Sequence, residues 1–581
     1  MRQFLATPSP SVRTLPFQFW FGLALAFAIV CSWLGLQEAF ETEYVIQDDA
    51  RQHVFWMLRF LDPQLFPNDW IADYFQFVAP AGYSSLYRLA AELGISPLVF
   101  NKFLPTLLGL VTTVYTFLTC MELLPVPFAA FSSASILNLT LWMKDDLISG
   151  TPRAFVYPLL AIFLYYLLRK KLVPCTIAVI LTGLFYPQYV LVEAGVLVLQ
   201  GVQFPRLEID RETLYFCGIG AIVAFLVLLP YAFGSSLFSP VVTVAEAKSM
   251  PEFFSGGRSS FFQLGNPIEF WFLSERSGFL PLETPITLWV GLALPFLRRF
   301  QKQLPLMREM TAKNTVIVNT LLTAIVLFFA AHALLFRLHL PSRYTHHSFR
   351  IMLALLSGMT IAILVNALLQ WAKTSKIWIK AIAFVGVTIL VASVAFYPAA
   401  LGSFPNTSYK KGSAPQVYQF FQQQPKDTLI ATLAREASFI PAFARRSVLI
   451  SEEQAIPYHL GYYQEIRQRF VDLLTAQYAE DPLVVRQFID NYGIDFWLLD
   501  REAFTPTYPI ANRWVNDFYT SPIGDDRLVK TTIKVVDRLS SGEVPALSKT
   551  VPACSVLETP EHIVLDSGCI KNNLGPSLKE N

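Results

Sequence analysis

The chain has 581 residues, 54% of them hydrophobic and only 15% charged, against about 25% charged in ordinary soluble domains. A formal net charge of +2 with no concentrated basic tract gives nucleic-acid binding no support. The charge deficit is uneven, since long charge-free runs fill residues 14–400 while residues 405–581 have an ordinary soluble composition.

In chain order, the first apolar run follows Arg2 and Arg13 and lacks a small-residue cleavage site, which predicts a retained span over 14–37 and not a removed signal peptide. Further spans are predicted at 103–121, 123–143, 154–168, 172–187, 188–205, 213–233, 284–297, 314–336, 351–371 and 377–400, about eleven in all. Residues 172–205 are one long helix or two short ones broken at Tyr186-Pro187-Gln188. Loop charge decides for two. Only then do the basic connections Arg169-Lys170-Lys171, Arg298-Arg299 through Lys313, and Lys373 to Lys380 share the side of the basic N-terminus. That parity puts the N-terminus in the cytoplasm. Residues 38–102, 144–153, 234–283, 337–350 and everything beyond the last span fall on the extracytoplasmic side.

Beyond residue 400, Asp427–Thr432, Ser447–Ile450 and Tyr492–Asp500 read as short strands, separated by helical stretches that include 462–491. This alternation predicts a small α/β layer with a parallel sheet. No Gly-rich phosphate loop precedes its helices, so no nucleotide is expected there. Residues 572–581 read as a frayed polar end. Cys31, Cys120, Cys175 and Cys217 lie in apolar segments as small buried residues. Cys554 and Cys569 suit a disulfide if the tail is extracytoplasmic, and the absence of Cys-x-x-Cys spacing argues against structural zinc.

The outer loops carry the chemistry. Asp48 and Asp49, just after the first span, can bind a divalent ion or supply a general base. Asp49 and His53, spaced i, i+4, would share a helical face, and residues 50–61 suit an amphipathic helix at the interface. The plain alternative is an acidic helix cap. A second pair, Asp145 and Asp146, lies on the same face. Arg153, which opens an apolar span, should seek an anion there. A solvated turn is the alternative for that loop. The fourth outer loop gathers Arg337, His339, Arg343, His346, His347 and Arg350. A basic cluster on the outer face runs against the positive-inside tendency, and an anionic ligand such as a lipid phosphate would account for it. Glu193, inside a predicted span, is a lone intramembrane acid and so a functional candidate.

This arrangement resembles the GT-C superfamily of membrane glycosyltransferases, which includes protein O-mannosyltransferases, aminoarabinose transferases and oligosaccharyltransferase catalytic subunits. Asp48 and Asp49 stand where that superfamily has its first-loop acid, and Asp145 and Asp146 where some members carry a second acidic motif. The sequence has Asp-Asp pairs in place of Asp-x-Asp or Asp-Glu, and no Trp-Trp-Asp-Tyr-Gly motif. The resemblance implies a GT-C-like polytopic membrane domain over 1–400, with 38–102 as its first outer loop, and an extracytoplasmic α/β domain over 401–581. It implies inverting transfer of a sugar from a polyprenyl-phosphate-linked donor in the bilayer of the plasma (inner) membrane to an extracytoplasmic acceptor. Asp49 or Asp48 would be the general base. His53, Arg153, Arg343, His346, His347 and Arg350 would hold substrate and phosphate, with Asp145 and Asp146 as ligands of a divalent cation, magnesium or manganese. The competing readings are a transporter or flippase working through Glu193, and a non-catalytic scaffold for polysaccharide assembly.

Overall fold

The computed structural model describes residues 2–9, 11–204, 210–233, 237–263, 265–373 and 376–575; the far end of the expected frayed tail lies outside them. Each predicted span coincides with helical structure. Among the described residues, six helices are long and apolar enough to cross a membrane: Leu15–Ala39, Pro97–Leu123, Arg211–Tyr231, Ala312–Ala333, Ser342–Lys373 and Ile377–Val394. The protein is thus a multi-pass membrane protein. Shorter apolar helices fill the remaining places, and the break expected at Tyr186-Pro187-Gln188 is present. One helix ends at Phe185, a single 3-10 turn covers Pro187–Tyr189, and the next helix runs Val190–Gly201.

The helix Ser342–Lys373 is the axis of the bundle. It packs against Pro127–Trp142, a helix buried along its whole length. Gly358 sets how close the two come, because a Cβ there would strike the backbone of Ala129 and Ser133. Close approach through small residues is the usual way helices pack inside a bilayer, where apolar burial by itself offers little drive. The N-terminal turns of Ser342–Lys373 therefore sit beside the loop that follows Trp142, and that proximity builds the candidate site.

Two sheets complete the fold. Strand β1 (Val45–Gln47), from the first outer loop, pairs antiparallel with β2 (Tyr409–Lys411), which follows the last apolar helix. The second sheet comprises β3 (Leu429–Thr432), β4 (Ser447–Val448), β5 (Phe496–Asp500), β6 (Ser555–Glu558) and β7 (His562–Asp566), in the order β4-β3-β5-β7-β6. Its β4-β3-β5 half is parallel, as the sequence pattern predicts. The β7 and β6 strands extend it antiparallel and were not legible in the pattern. The expected helical region 462–491 is two helices, Leu460–Gln477 and Pro482–Tyr492, with Asp481 capping the second through the Leu483 amide.

Residues 50–61 depart from expectation. They form a short helix, Ala50–His53, and a 3-10 stretch, Phe55–Phe60, in which Phe55, Trp56, Met57 and Leu58 are all buried. The segment is covered by protein instead of lying on an interface. Part of that cover is Phe439, whose ring centroid lies 4.8 Å from the Arg51 guanidinium.

Cys554 and Cys569 form a disulfide across a separation of 15 residues. Closing a loop of that size restricts the unfolded chain by roughly 3 kcal/mol. Replacing both cysteines by serine is expected to lower the denaturant midpoint of the residue 429–566 sheet accordingly. An unchanged midpoint would show that the bond contributes nothing.

Candidate functional site: an acid and arginine cluster

The first loop, the loop after Trp142 and the start of the helix Ser342–Lys373 meet at one end of the bundle. The β1–β2 pairing fixes the first loop, and the Asp49 amide then donates to Gln47 Oε1 at 2.8 Å. Asp48 and Asp49 are adjacent but diverge. Asp48 faces Arg51, with Lys410 Nζ at 3.9 Å. Asp49 faces inward and meets Arg153, with 2.7 Å between Oδ2 and Nη2. The sequence left the two interchangeable; in the structure only Asp49 reaches the cluster, because the Arg51 ion pair draws Asp48 away.

Arg153 is the hub. The same Nη2 lies 3.1 Å from Asp145 Oδ2, and Nη1 lies 3.2 Å from Asp146 Oδ1. The Ser342–Lys373 helix contributes Arg343, His347 and Arg350, spaced i, i+4, i+7, so that all three share one face. Each approaches Asp146: Arg343 at 3.8 Å, His347 at 3.9 Å, and Arg350 in a direct ion pair. Tyr157 seals the arrangement. Its hydroxyl donates to Asp146 Oδ2 at 3.0 Å, while Arg350 Nη1 donates to that hydroxyl at 3.1 Å. Arg350 Nη2 also donates to the Leu282 carbonyl at 2.9 Å.

The two acids of the second pair differ in state. Burial opposes ionisation of Asp146, but Arg350, Arg153, His347 and Lys144 together hold its carboxyl well below the usual range. Burial pushes Asp145 up; Arg153 pulls it back, and Asp49 and Asp146 push it up again. Asp146 is a fully enclosed counter-ion whose side chain is 1% exposed, whereas Asp49 and Asp145 keep open oxygens, at 26% and 20%. This corrects the expectation that Asp145 and Asp146 act as a metal pair. Asp146 is surrounded by guanidinium groups and a phenol, and a cation there would have to displace them.

Among the described residues no group of three or more His, Cys, Asp or Glu side chains is placed to hold a metal ion. Asp49 and Asp145 aim one carboxylate oxygen each at Arg153 Nη2, a guanidinium that fills the place a hard cation would need.

The histidines differ from expectation. His346 and His347 are 1% and 0% exposed, and His347 Nδ1 bonds the Tyr157 hydroxyl at 2.8 Å. Neither ring is presented to an outside anion; both lie behind the arginines. His53 is half-buried beside Asp49 and Arg153, against the Phe75 ring. Burial lowers its pKa, Asp49 acting to raise it and Arg153 to lower it further, so it stays neutral at pH 7. Arg343 differs from all of these, since among the described residues its guanidinium donates no hydrogen bond, and its nearest carboxylate oxygen is 3.8 Å away.

Sequence reasoning missed three participants. Lys144 pairs with Glu275 at 3.0 Å. Burial pushes the Glu275 carboxyl up, yet Lys144, Arg343 and Arg276 hold it at about 2. Tyr157 was hidden in an apolar run. Glu193 lies apart from this cluster, buried and accepting a hydrogen bond from the Thr182 hydroxyl at 2.8 Å.

No protein-family model matches the chain, and no curated protein matches it. Solved structures do share its fold. The oligosaccharyltransferase of Archaeoglobus fulgidus, tethered with an acceptor peptide containing the NVT sequon, gives a TM-score of 0.53 at 14% identity, over 88% of this chain and 72% of that one. Its complex with zinc and sulfate gives 0.51 at 13% identity, over 89% and 70%. ArnT from Cupriavidus metallidurans in the apo state gives 0.45 at 13% identity, over 96% and 99%. At such identities the likeness is one of fold, and the fold of this chain is that of the archaeal oligosaccharyltransferase, a GT-C glycosyltransferase.

Proposed function

We propose that the protein is an inverting membrane glycosyltransferase that moves a sugar from a polyprenyl-phosphate-linked donor to an extracytoplasmic acceptor. The observation that carries this reading is the part-exposed pair Asp49 and Asp145, which Arg153 links to Asp146 and so to Arg343, a guanidinium with unused donors. A carboxylate base and an arginine for a departing phosphate are the two groups such a transfer needs. Residues 1–400 form the membrane part in about eleven passes, with a cytoplasmic N-terminus at the plasma (inner) membrane. Residues 401–581 form the extracytoplasmic domain. The disulfide supports that placement, because such bonds persist in oxidising compartments.

In this mechanism Asp49 accepts the proton of the acceptor hydroxyl as that oxygen attacks the anomeric carbon. The donor's phosphate leaves with the bonding electrons and is received by Arg343, with Arg153 alongside. Asp146 takes no part in the proton transfer. It holds Arg350 and Arg153 in place, while His53 and His347 act as rigid packing. Arg153 occupies the place between Asp49 and Asp145 that a magnesium or manganese ion would take, so the charge on the leaving phosphate falls to the guanidinium groups.

The test uses purified protein with a panel of polyprenyl-phosphate sugars, and undecaprenyl phosphate as the binding probe. A charge-assisted hydrogen bond contributes about 1.5–3 kcal/mol, so Arg343→Ala should weaken binding of the probe roughly ten- to a hundredfold. Equal binding by wild type and variant would remove Arg343 from the phosphate site. No turnover of any donor by the wild type would reject the transferase in favour of a scaffold.

A further inference from the structure

Glu453 belongs to none of the loops that carry the cluster. It lies in the turn after β4, some 400 residues from the first loop, yet all of its carboxylate is spent there. Its Oε2 accepts from Arg51 Nη2 at 2.7 Å, and its Oε1 accepts from Gln52 Nε2 and, at 2.7 Å, from Arg258 Nη2. The neighbouring Gln454 donates from Nε2 to the Arg51 carbonyl at 2.8 Å. Arg258, from the third outer loop, also donates to the Glu452 and Glu453 carbonyls, both at 3.1 Å. One carboxylate thus ties together the first loop, the third loop and the C-terminal part.

The residues it grips follow directly on Asp49. Arg51 and Gln52 belong to the helix Ala50–His53, for which Asp49 is the capping position. Arg51 is 6% exposed and also holds Asp48. Glu453 therefore anchors the guanidinium that draws Asp48 outward, and by fixing the following turn it leaves Asp49 as the carboxylate aimed at Arg153.

We infer that Glu453 is a positioning residue for Asp49, an inference that rests on the proposed transferase reading for its catalytic meaning. It touches no substrate and exchanges no proton; it acts through Arg51 and Gln52. Misplacing a reacting group by about 1 Å can cost up to a hundredfold in rate, so the effect should appear in kcat.

The experiment compares full-length wild type with Glu453→Gln, Glu453→Asp and Glu453→Ala. It reads hydrogen exchange by segment and, with the donor panel, kcat and donor KM. In Glu453→Gln, exchange should quicken over residues 48–54 while the strands 429–432 and 496–500 stay protected. The kcat should fall about ten- to a hundredfold, the donor KM should stay within about twofold, and Glu453→Asp should recover part of the loss. Unchanged protection over 48–54 overturns the inference, and so does a loosened loop with unaltered kcat. Loss of protection throughout the C-terminal sheet, with KM rising alongside, would show a purely structural residue and also overturn it. If the wild type turns over no donor, the transferase reading fails by itself, and exchange over 48–54 still decides whether Glu453 holds the loop.

Discussion

Asp49→Asn should lower turnover by about 10²- to 10⁴-fold, the usual contribution of a positioned general base, which is roughly 3–5 kcal/mol of barrier. The amide keeps the size of the carboxylate but cannot accept the proton, and it weakens the contact to Arg153. Donor binding should change little, since Arg343 is untouched. The control is Asp48→Asn, which removes an equally acidic neighbour engaged with Arg51 and Lys410, and which should cost far less in kcat. Steady-state kinetics on both variants decides the matter. Equal turnover by Asp49→Asn and wild type would remove Asp49 as the base, and a larger loss in Asp48→Asn would exchange the two roles.

The second large effect concerns stability. Arg350 is fully buried and paired with Asp146, itself 1% exposed. Removing one member of a buried pair strands the other charge and typically costs about 3–5 kcal/mol. Arg350→Met should therefore lower the thermal midpoint of the detergent-solubilised protein markedly. The double variant Asp146→Asn with Arg350→Met should recover only part of that loss, because Arg153 and Arg343 then lose the carboxylate they face. The sign with pH follows from Asp146, whose native pKa is depressed. The unfolded chain takes up the proton at higher pH than the native one, so its stabilisation is complete above about pH 4 and is lost as pH falls further. Asp146→Asn should flatten the acid side of the stability profile. A wild-type midpoint for Arg350→Met would contradict the buried pairing.

Much of this was legible in residue patterns because the bilayer imposes simple rules. Runs without charge located the helices, and loop charge located the break at Tyr186-Pro187-Gln188. Residues 337–350 read as a loop, whereas the helix Ser342–Lys373 takes in Arg343, His347 and Arg350 and gives them one face. What the patterns lacked was direction. Asp48 and Asp49 are chemically identical neighbours, and which one turns inward depends on β1 pairing with β2 and on Arg51 meeting Glu453, contacts made hundreds of residues away. The histidines misled for a related reason. Composition marks them as bases near an outer surface, but their burial behind Tyr157 and the arginines is a property of packing. Likewise Asp146 looks like a metal ligand in one dimension and becomes a counter-ion once three arginines surround it.

The β1–β2 ribbon has one more consequence, for biosynthesis. Residues 45–47 emerge early and 409–411 near the end of the membrane part, so the first loop waits through most of translation for its partner strand. Contacts of such long sequence separation form late, after local helices are in place. A chain arrested before residue 409 would hold its spans yet leave Asp49 unanchored. On the transferase reading, chemistry at Asp49 would then wait until the ribosome had delivered nearly the whole polypeptide.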